Sequence, residues 1–188
     1  KAMPANYSHD RLGNRVLDLL DDMNQWGEPK QILGEADLFK LNPASELYGH
    51  ANINYLMLDC VPRFEEGWSA VLDALRNRQY FTSTGEVLIT SFRVNGKVFP
   101  SQMRLENSEI TVTADVQGTF PLSYAEVIYS DGTSIQRERM DLGRHGAFAG
   151  TTISHAIPSK NCDWVRFEVW DVAENGAFTQ PVLIGGSK

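Results

Sequence analysis

The chain has 188 residues, 42% of them hydrophobic and 22% charged, and carries a formal net charge of -7. A chain of that length buries roughly 70% of the surface its unfolded form exposes, so a true hydrophobic core is expected. The acidic balance without a basic stripe argues against a nucleic-acid partner, and no apolar run approaches the ~18–20 residues of a membrane-spanning helix, so a soluble protein is expected.

The first residue is Lys1 rather than a methionine, which leads to the expectation that upstream residues have been removed. Residues 1–20 lack the apolar centre of a secretory signal, so an exported parent would already have lost it, and the compartment stays open. Asn6-Tyr7-Ser8 matches the glycosylation acceptor pattern, which has meaning only in a secretory setting.

Leu12, Val16, Leu19, Leu20 and Met23 recur at helical spacing and predict a helix from about Asp10 to Trp26. Asp10 is its candidate N-cap, and Gly27 with Pro29 ends it. Arg15, Asp18, Asp21, Asp22 and Gln25 form the opposite side, which is expected to face water. Between residues 30 and 59 no period holds for long; residues 31–33 and 54–58 read as short buried strands around a loop with Asn42-Pro43 and Gly49. A second helix is predicted from about Glu66 to Asn77, laying Trp68 and Leu75 against a neighbour.

After Tyr80 the period changes from that of a helix to that of a strand, which sets the expected boundary between segments 1–81 and 82–188. Strands are predicted around Val87–Phe92, Ile110–Val116, Tyr124–Tyr129, Thr133–Arg139, Phe148–Ile157, Trp164–Trp170 and Ala177–Ile184. Asn95-Gly96, Asp131-Gly132 and Asn175-Gly176 supply the turns, because these residue types tolerate positive φ. The fold class is therefore α+β: a mainly antiparallel, immunoglobulin-like β-sandwich preceded by a short, mostly helical segment. A barrel closure fits the same alternation.

Candidate chemistry is sparse. Cys60 and Cys162 are too few for a disulfide framework and are too far apart in sequence for a zinc knuckle; each is expected to be a buried thiol. The four histidines are His9, His50, His145 and His155, and no His-x-His, His-Glu-x-x-His or Gly-rich phosphate loop is present. Asp37 and His50 are the candidate metal ligands, since a carboxylate and an imidazole both suit zinc or manganese. Against that stands a structural role for both as caps and loop hydrogen-bonders. Ser154-His155 lacks a nucleophile elbow and reads as a strand-surface or edge position. Trp164 and Trp170 share the polar row of their strand with Arg166 and Glu168, while Val165, Phe167 and Val169 point to the core. Those two rings are expected to pack against residues 1–80, with a ligand platform and plain coverage of a sheet edge as the other readings.

The run Leu72-Asp-Ala-Leu-Arg-Asn-Arg-Gln-Tyr-Phe-Thr-Ser-Thr-Gly-Glu86, followed by Phe92-Arg-Val-Asn-Gly96, Trp164-Val-Arg-Phe-Glu-Val-Trp-Asp171 and Thr179-Gln-Pro-Val-Leu-Ile184, resembles the C-terminal region of PHP-type metallohydrolases of the CehA/McbA kind. The resemblance covers most of residues 30–184. It implies the end of a metal-binding barrel followed by an accessory β-sandwich, in a phosphoesterase-like hydrolase whose barrel holds divalent metal, zinc or manganese. Gly34-Glu-Ala-Asp37 is similar to a late metal-binding stretch of that family, which marks Asp37; the histidine expected two places later is Phe39 here, and His50 is the candidate substitute. The family's earlier metal-binding strands have no counterpart in this chain. The resemblance thus implies an accessory portion inactive by itself, partnered by the upstream barrel of the same protein or another domain; a non-catalytic β-sandwich binding module is the alternative.

Overall fold

The computed structural model describes residues 16–34, 52–104, 108–143 and 146–185. In chain order these form helix α1 (Val16–Gln25), strand β1 (Ile53–Leu56), a single 3-10 turn (Phe64–Glu66) and helix α2 (Ser69–Arg76). Eleven strands follow: β2 (Tyr80–Ser83), β3 (Val87–Val94), β4 (Lys97–Val98), β5 (Gln102–Met103), β6 (Glu109–Gly118), β7 (Leu122–Ser130), β8 (Ile135–Asp141), β9 (Gly150–Pro158), β10 (Trp164–Asp171), β11 (Gly176–Thr179) and β12 (Val182–Ile184). The fold is α+β and mainly antiparallel, with two sheets packed as a sandwich. Among the described residues no helix is long and apolar enough to cross a membrane.

Strict alternation builds the smaller sheet, of order β4-β3-β6-β9. Ile110, Val112, Ala114 and Val116 of β6 are buried while their neighbours face outward, as a half-buried strand requires. Asn95 (φ 49°) and Gly96 (φ 80°) close the β3–β4 hairpin, the pair of left-handed residues that a tight two-residue turn demands. The larger sheet is centred on β10, which pairs with β7 along one side and with β11 and β12 along the other. Its inner row, Val165, Phe167 and Val169, meets Phe92 and the β6 row from the smaller sheet; the Phe92 and Phe167 rings lie 6.4 Å apart between centroids.

The expected boundary at residue 82 falls inside β2, and the sheet runs across it. β2 pairs β11 on one side and β1 on the other, so residues 53–56 and 80–83 extend the larger sheet. Several local expectations differ from what is found. Residues 31–33 are not a strand; Gln180 instead accepts from the Ile32 N–H (2.9 Å) and donates to its carbonyl (3.0 Å). The last strand is divided at Gln180-Pro181, because proline has no N–H to continue the ladder. Trp68 lies exposed ahead of α2 rather than against a neighbour, and Ala74 is the residue that α2 buries.

Both cysteines are free; Cys162 is buried but Cys60 is exposed, contrary to expectation, because it sits in the bend after β1. Burial, with Asp163 nearby, pushes the Cys162 thiol from its ordinary 9.0 up to about 12. The native state then keeps a proton that the unfolded chain releases above about pH 9, so this group's contribution to stability is intact below that pH and is lost as pH rises toward 12. A thiol-specific reagent at pH 8 is expected to titrate Cys60 in the native protein and both cysteines in denaturant; rapid native reaction of Cys162 would show that its covering is open. A second check concerns Gly176, where a Cβ would run into the Trp170 indole. Gly176→Ala should destabilise by about 2–3 kcal/mol, read from the urea midpoint.

Candidate functional site

The outward row of β10 is Trp164, Arg166, Glu168 and Trp170, and sequence alternation makes it look like a wet face. All four are buried. The cover over Arg166 and Trp170 is α1, and it lies down on a different side from the one its apolar spacing suggests. Leu17, Leu20, Asp21 and Asn24 face the sheet; of the expected apolar stripe Leu20 is therefore buried, whereas Val16, Leu19 and Met23 are exposed and Leu12 lies outside the described residues. The physical reason is charge: an arginine buried in the sheet needs a carboxylate, and the side of α1 that faces the sheet brings Asp21 to it.

The contact is a two-pronged ion pair. Arg166 donates from Nε to Asp21 Oδ1 (2.5 Å) and from Nη2 to Asp21 Oδ2 (2.8 Å), the parallel geometry in which a guanidinium binds a carboxylate best. Its third nitrogen, Nη1, donates to Glu168 Oε2 (2.7 Å), and Glu168 Oε1 accepts from the Trp170 indole N–H (3.1 Å). Arg137 of β8 closes the edge of the network, donating from Nη2 to Asp21 Oδ2 (2.6 Å) and to Asp18 Oδ1 (2.7 Å), with Glu126 of β7 at 3.7 Å. Burial by itself would favour discharging Arg166; Asp21 and Glu168 together outweigh it, so its pKa lies above the ordinary arginine value and the charge is permanent.

An apolar cluster surrounds these charges. Leu17 and Leu20 pack with Trp170, Tyr124 and Phe178, and Ile32 packs against its rim. Arg139 lies 3.6 Å above the Tyr124 ring, a cation–π contact at the margin of the same face. Trp164, also buried, stands outside this cluster, and its indole N–H has no acceptor among the described residues. Neither tryptophan presents a ring to solvent. The face therefore works as a seat for α1: Arg166 and Arg137 are paired with carboxylates and the Trp170 ring is covered, so none of the three is open to an anion or a sugar.

The metal candidates Asp37 and His50 lie outside the described residues, as do His9, His145, Glu35 and Glu46. Among the described residues no group of three or more His, Cys, Asp or Glu side chains could hold a metal ion. His155 projects from β9 to Glu138 of β8 (Nε2 to Oε2, 2.7 Å), and Glu138 Oε1 also accepts from the Tyr129 hydroxyl (2.9 Å). That trio ties the edges of the two sheets together. Burial and then the Glu138 hydrogen bond raise the Tyr129 phenol to about 12, so it stays protonated near neutrality. A depression of about 150 Å³ lined by Glu86, Gln117, Thr119 and Phe148 is well below the roughly 300–1,000 Å³ of small-molecule pockets.

No protein-family model matches the chain, and no curated protein is significantly similar to it.

The role of Asp21 was not legible in the sequence, where it reads as one of several solvated acids; the available signal was Arg166-Phe-Glu168 between two tryptophans, a charged pair too hemmed in by apolar residues to be simply wet. Asp21→Ala leaves Arg166 with one carboxylate in a dry setting and should cost about 3–5 kcal/mol in urea unfolding. Asp21→Leu combined with Arg166→Met should recover part of that loss. A single-mutant cost below about 1 kcal/mol would show that α1 rests on the sheet without holding it.

Proposed function

We propose that this chain is the C-terminal accessory portion of a PHP-like, metal-dependent hydrolase of the phosphoesterase class, inactive alone, with catalysis carried by an upstream barrel of the same protein. In this reading residues 53–83 are the last αβ unit of that barrel's periphery, joined to the sandwich by β2–β11 pairing. Asp37 contributes a ligand to the metal centre, with His50, thirteen residues on, as the candidate second ligand.

The observation that supports the reading most is the uncovered apolar surface of the two helical elements. Val61 (88% exposed), Phe64 (91%), Trp68 (69%) and Leu72 (44%) lie on and just before α2, while Val16, Leu19, Met23 and Trp26 form an exposed stripe along α1. Large apolar side chains left open in consecutive elements mark a surface built to be covered, and covering one such side chain contributes roughly 1.5–3 kcal/mol. The sandwich strands show no comparable concentration: Val98, Phe120, Phe148 and Val172 are exposed singly. A domain of the same chain on the N-terminal side is the occupant that the position of both helices favours. The sequence resemblance adds the chemical class.

The parent protein should contain a His-x-His-bearing barrel encoded before Lys1, bind zinc or manganese, and hydrolyse bis(p-nitrophenyl) phosphate. This chain alone should not hydrolyse it. Elemental analysis of the parent should show metal reduced by Asp37→Ala, and Trp68→Asp with Leu72→Lys should lower the parent's melting temperature while leaving that of the isolated chain unchanged. A parent gene without such a barrel, or equal metal content in both proteins, would overturn the reading.

A further inference from the structure

The two sheets end in edge strands of very different character. β8, at one edge of the larger sheet, carries Arg137, Glu138, Arg139 and Asp141, the charged guard that keeps an open edge from pairing with other chains. β1 is four residues long, and Asn54 within it is engaged at both ends of its amide by the Gly34 backbone (2.8 Å each). β4 and β5 are two residues each. β9 has none of these protections. It ends the smaller sheet, pairs only with β6 among the described residues, and runs for nine residues, Gly-Thr-Thr-Ile-Ser-His-Ala-Ile-Pro, without Lys, Arg, Asp or Glu. Its register with β6 is unbroken from Gly150↔Gln117 to Pro158↔Glu109, so no bulge twists it away, and its one proline is the final residue.

The phase of the ladder says which backbone groups are open. Ser159 donates its N–H to Ser108 O, and that pair continues the β6–β9 register, so hydrogen-bonded pairs alternate back along the strand through Ile157, His155, Ile153 and Thr151. The N–H and C=O groups of Thr152, Ser154 and Ala156 consequently point away from β6. Their side chains are small and exposed, and among the described residues no strand pairs with this row.

We propose that β9 is a β-strand-addition site whose occupant is β9 of a second copy of this chain, paired antiparallel about a two-fold axis through Ser154. In that register Thr152 faces Ala156 of the partner, Ser154 faces Ser154, and Ala156 faces Thr152. These are the residues whose backbone groups are open, so every facing pair exchanges both of its hydrogen bonds. On the inner row Ile153 faces His155 and Thr151 faces Ile157, and no like charges are opposed anywhere along the strand. The strand thus complements itself in backbone phase, side-chain size and charge, which a closed two-fold interface requires. The four-stranded sheet becomes one sheet of eight across the dimer, within the size that twisted sheets sustain. The proposal is independent of the hydrolase reading, since it uses neither the exposed helices nor any metal ligand.

Sedimentation velocity on the full chain in physiological salt, from about 1 to 100 µM, brackets a micromolar dissociation constant. The expected result is a reversible monomer–dimer equilibrium. Ser154→Lys places two cations face to face on the two-fold axis and should weaken the dimer about tenfold or more, with the circular dichroism spectrum and melting temperature of the diluted monomer retained. Val98→Lys, on the opposite edge of the same sheet, should leave the dimer intact. A chain that stays monomeric throughout overturns the proposal. So does a dimer that survives Ser154→Lys, or one that Val98→Lys abolishes.

Discussion

The pairing of Asp21 with Arg166 is the constraint that organises the N-terminal part of this molecule around the C-terminal part. A fully desolvated guanidinium is very costly in the absence of a carboxylate, and the two partners stand 145 residues apart in sequence. The pair therefore fixes which side of α1 meets the sheet, and it does so against the helix's own hydrophobic pattern. Val16, Leu19 and Met23 would be the natural inward stripe of an isolated amphipathic helix. They are left outside because turning them inward would take Asp21 away from Arg166. Buried ion pairs add little net stability compared with a well-packed apolar contact, but they exclude alternatives, since any misregistered helix leaves a buried charge unpaired. Orientation, more than binding strength, is what this pair supplies.

That ordering explains what could be read from the sequence and what could not. The sandwich strands were legible because each needs only its own period: the alternating row Ile110, Val112, Ala114 and Val116 specifies an inner face without knowing its partner, and Asn95-Gly96 specifies its turn by local sterics. β10 was legible as a strand but not as a strand covered on both sides. Its outer row contains Arg166 and Glu168, and a one-dimensional pattern assigns charged residues to water. Only the three-dimensional partner, on a helix far away in the chain, reverses the assignment. The seat of α1 is therefore hidden in the sequence for the same reason that the inward face of α1 is: both depend on a single long-range contact. The candidate metal ligands Asp37 and His50 belong to the part of the chain with no sustained period, where local rules say least.

The same contact has a further consequence for how the molecule meets others. By holding the acidic side of α1 to the sheet, it turns the helix's apolar stripe outward, on top of a sandwich whose own exposed apolar residues are scattered. The β1–α2–β2 unit behaves similarly: its strands are consumed by sheet pairing, β1 with β2 and β2 with β11, and Phe64, Trp68 and Leu72 are left uncovered. Two neighbouring elements in sequence thus offer hydrophobic surface for opposite local reasons, one through charge and the other through strand pairing.

The sandwich itself treats its edges unequally, and the inequality follows from where its charges are spent. β8 needs Arg137 for the α1 seat and Glu138 for the His155 contact that joins the two sheets, so the strand that closes the larger sheet is charged by necessity. β9 receives the other end of that contact through an imidazole and needs no further charge. Its Ile153 and Ile157 are committed to the core, and its outward positions are small. An edge rich in charge on one sheet and free of it on the other is thus a product of the same few polar contacts that position the helix.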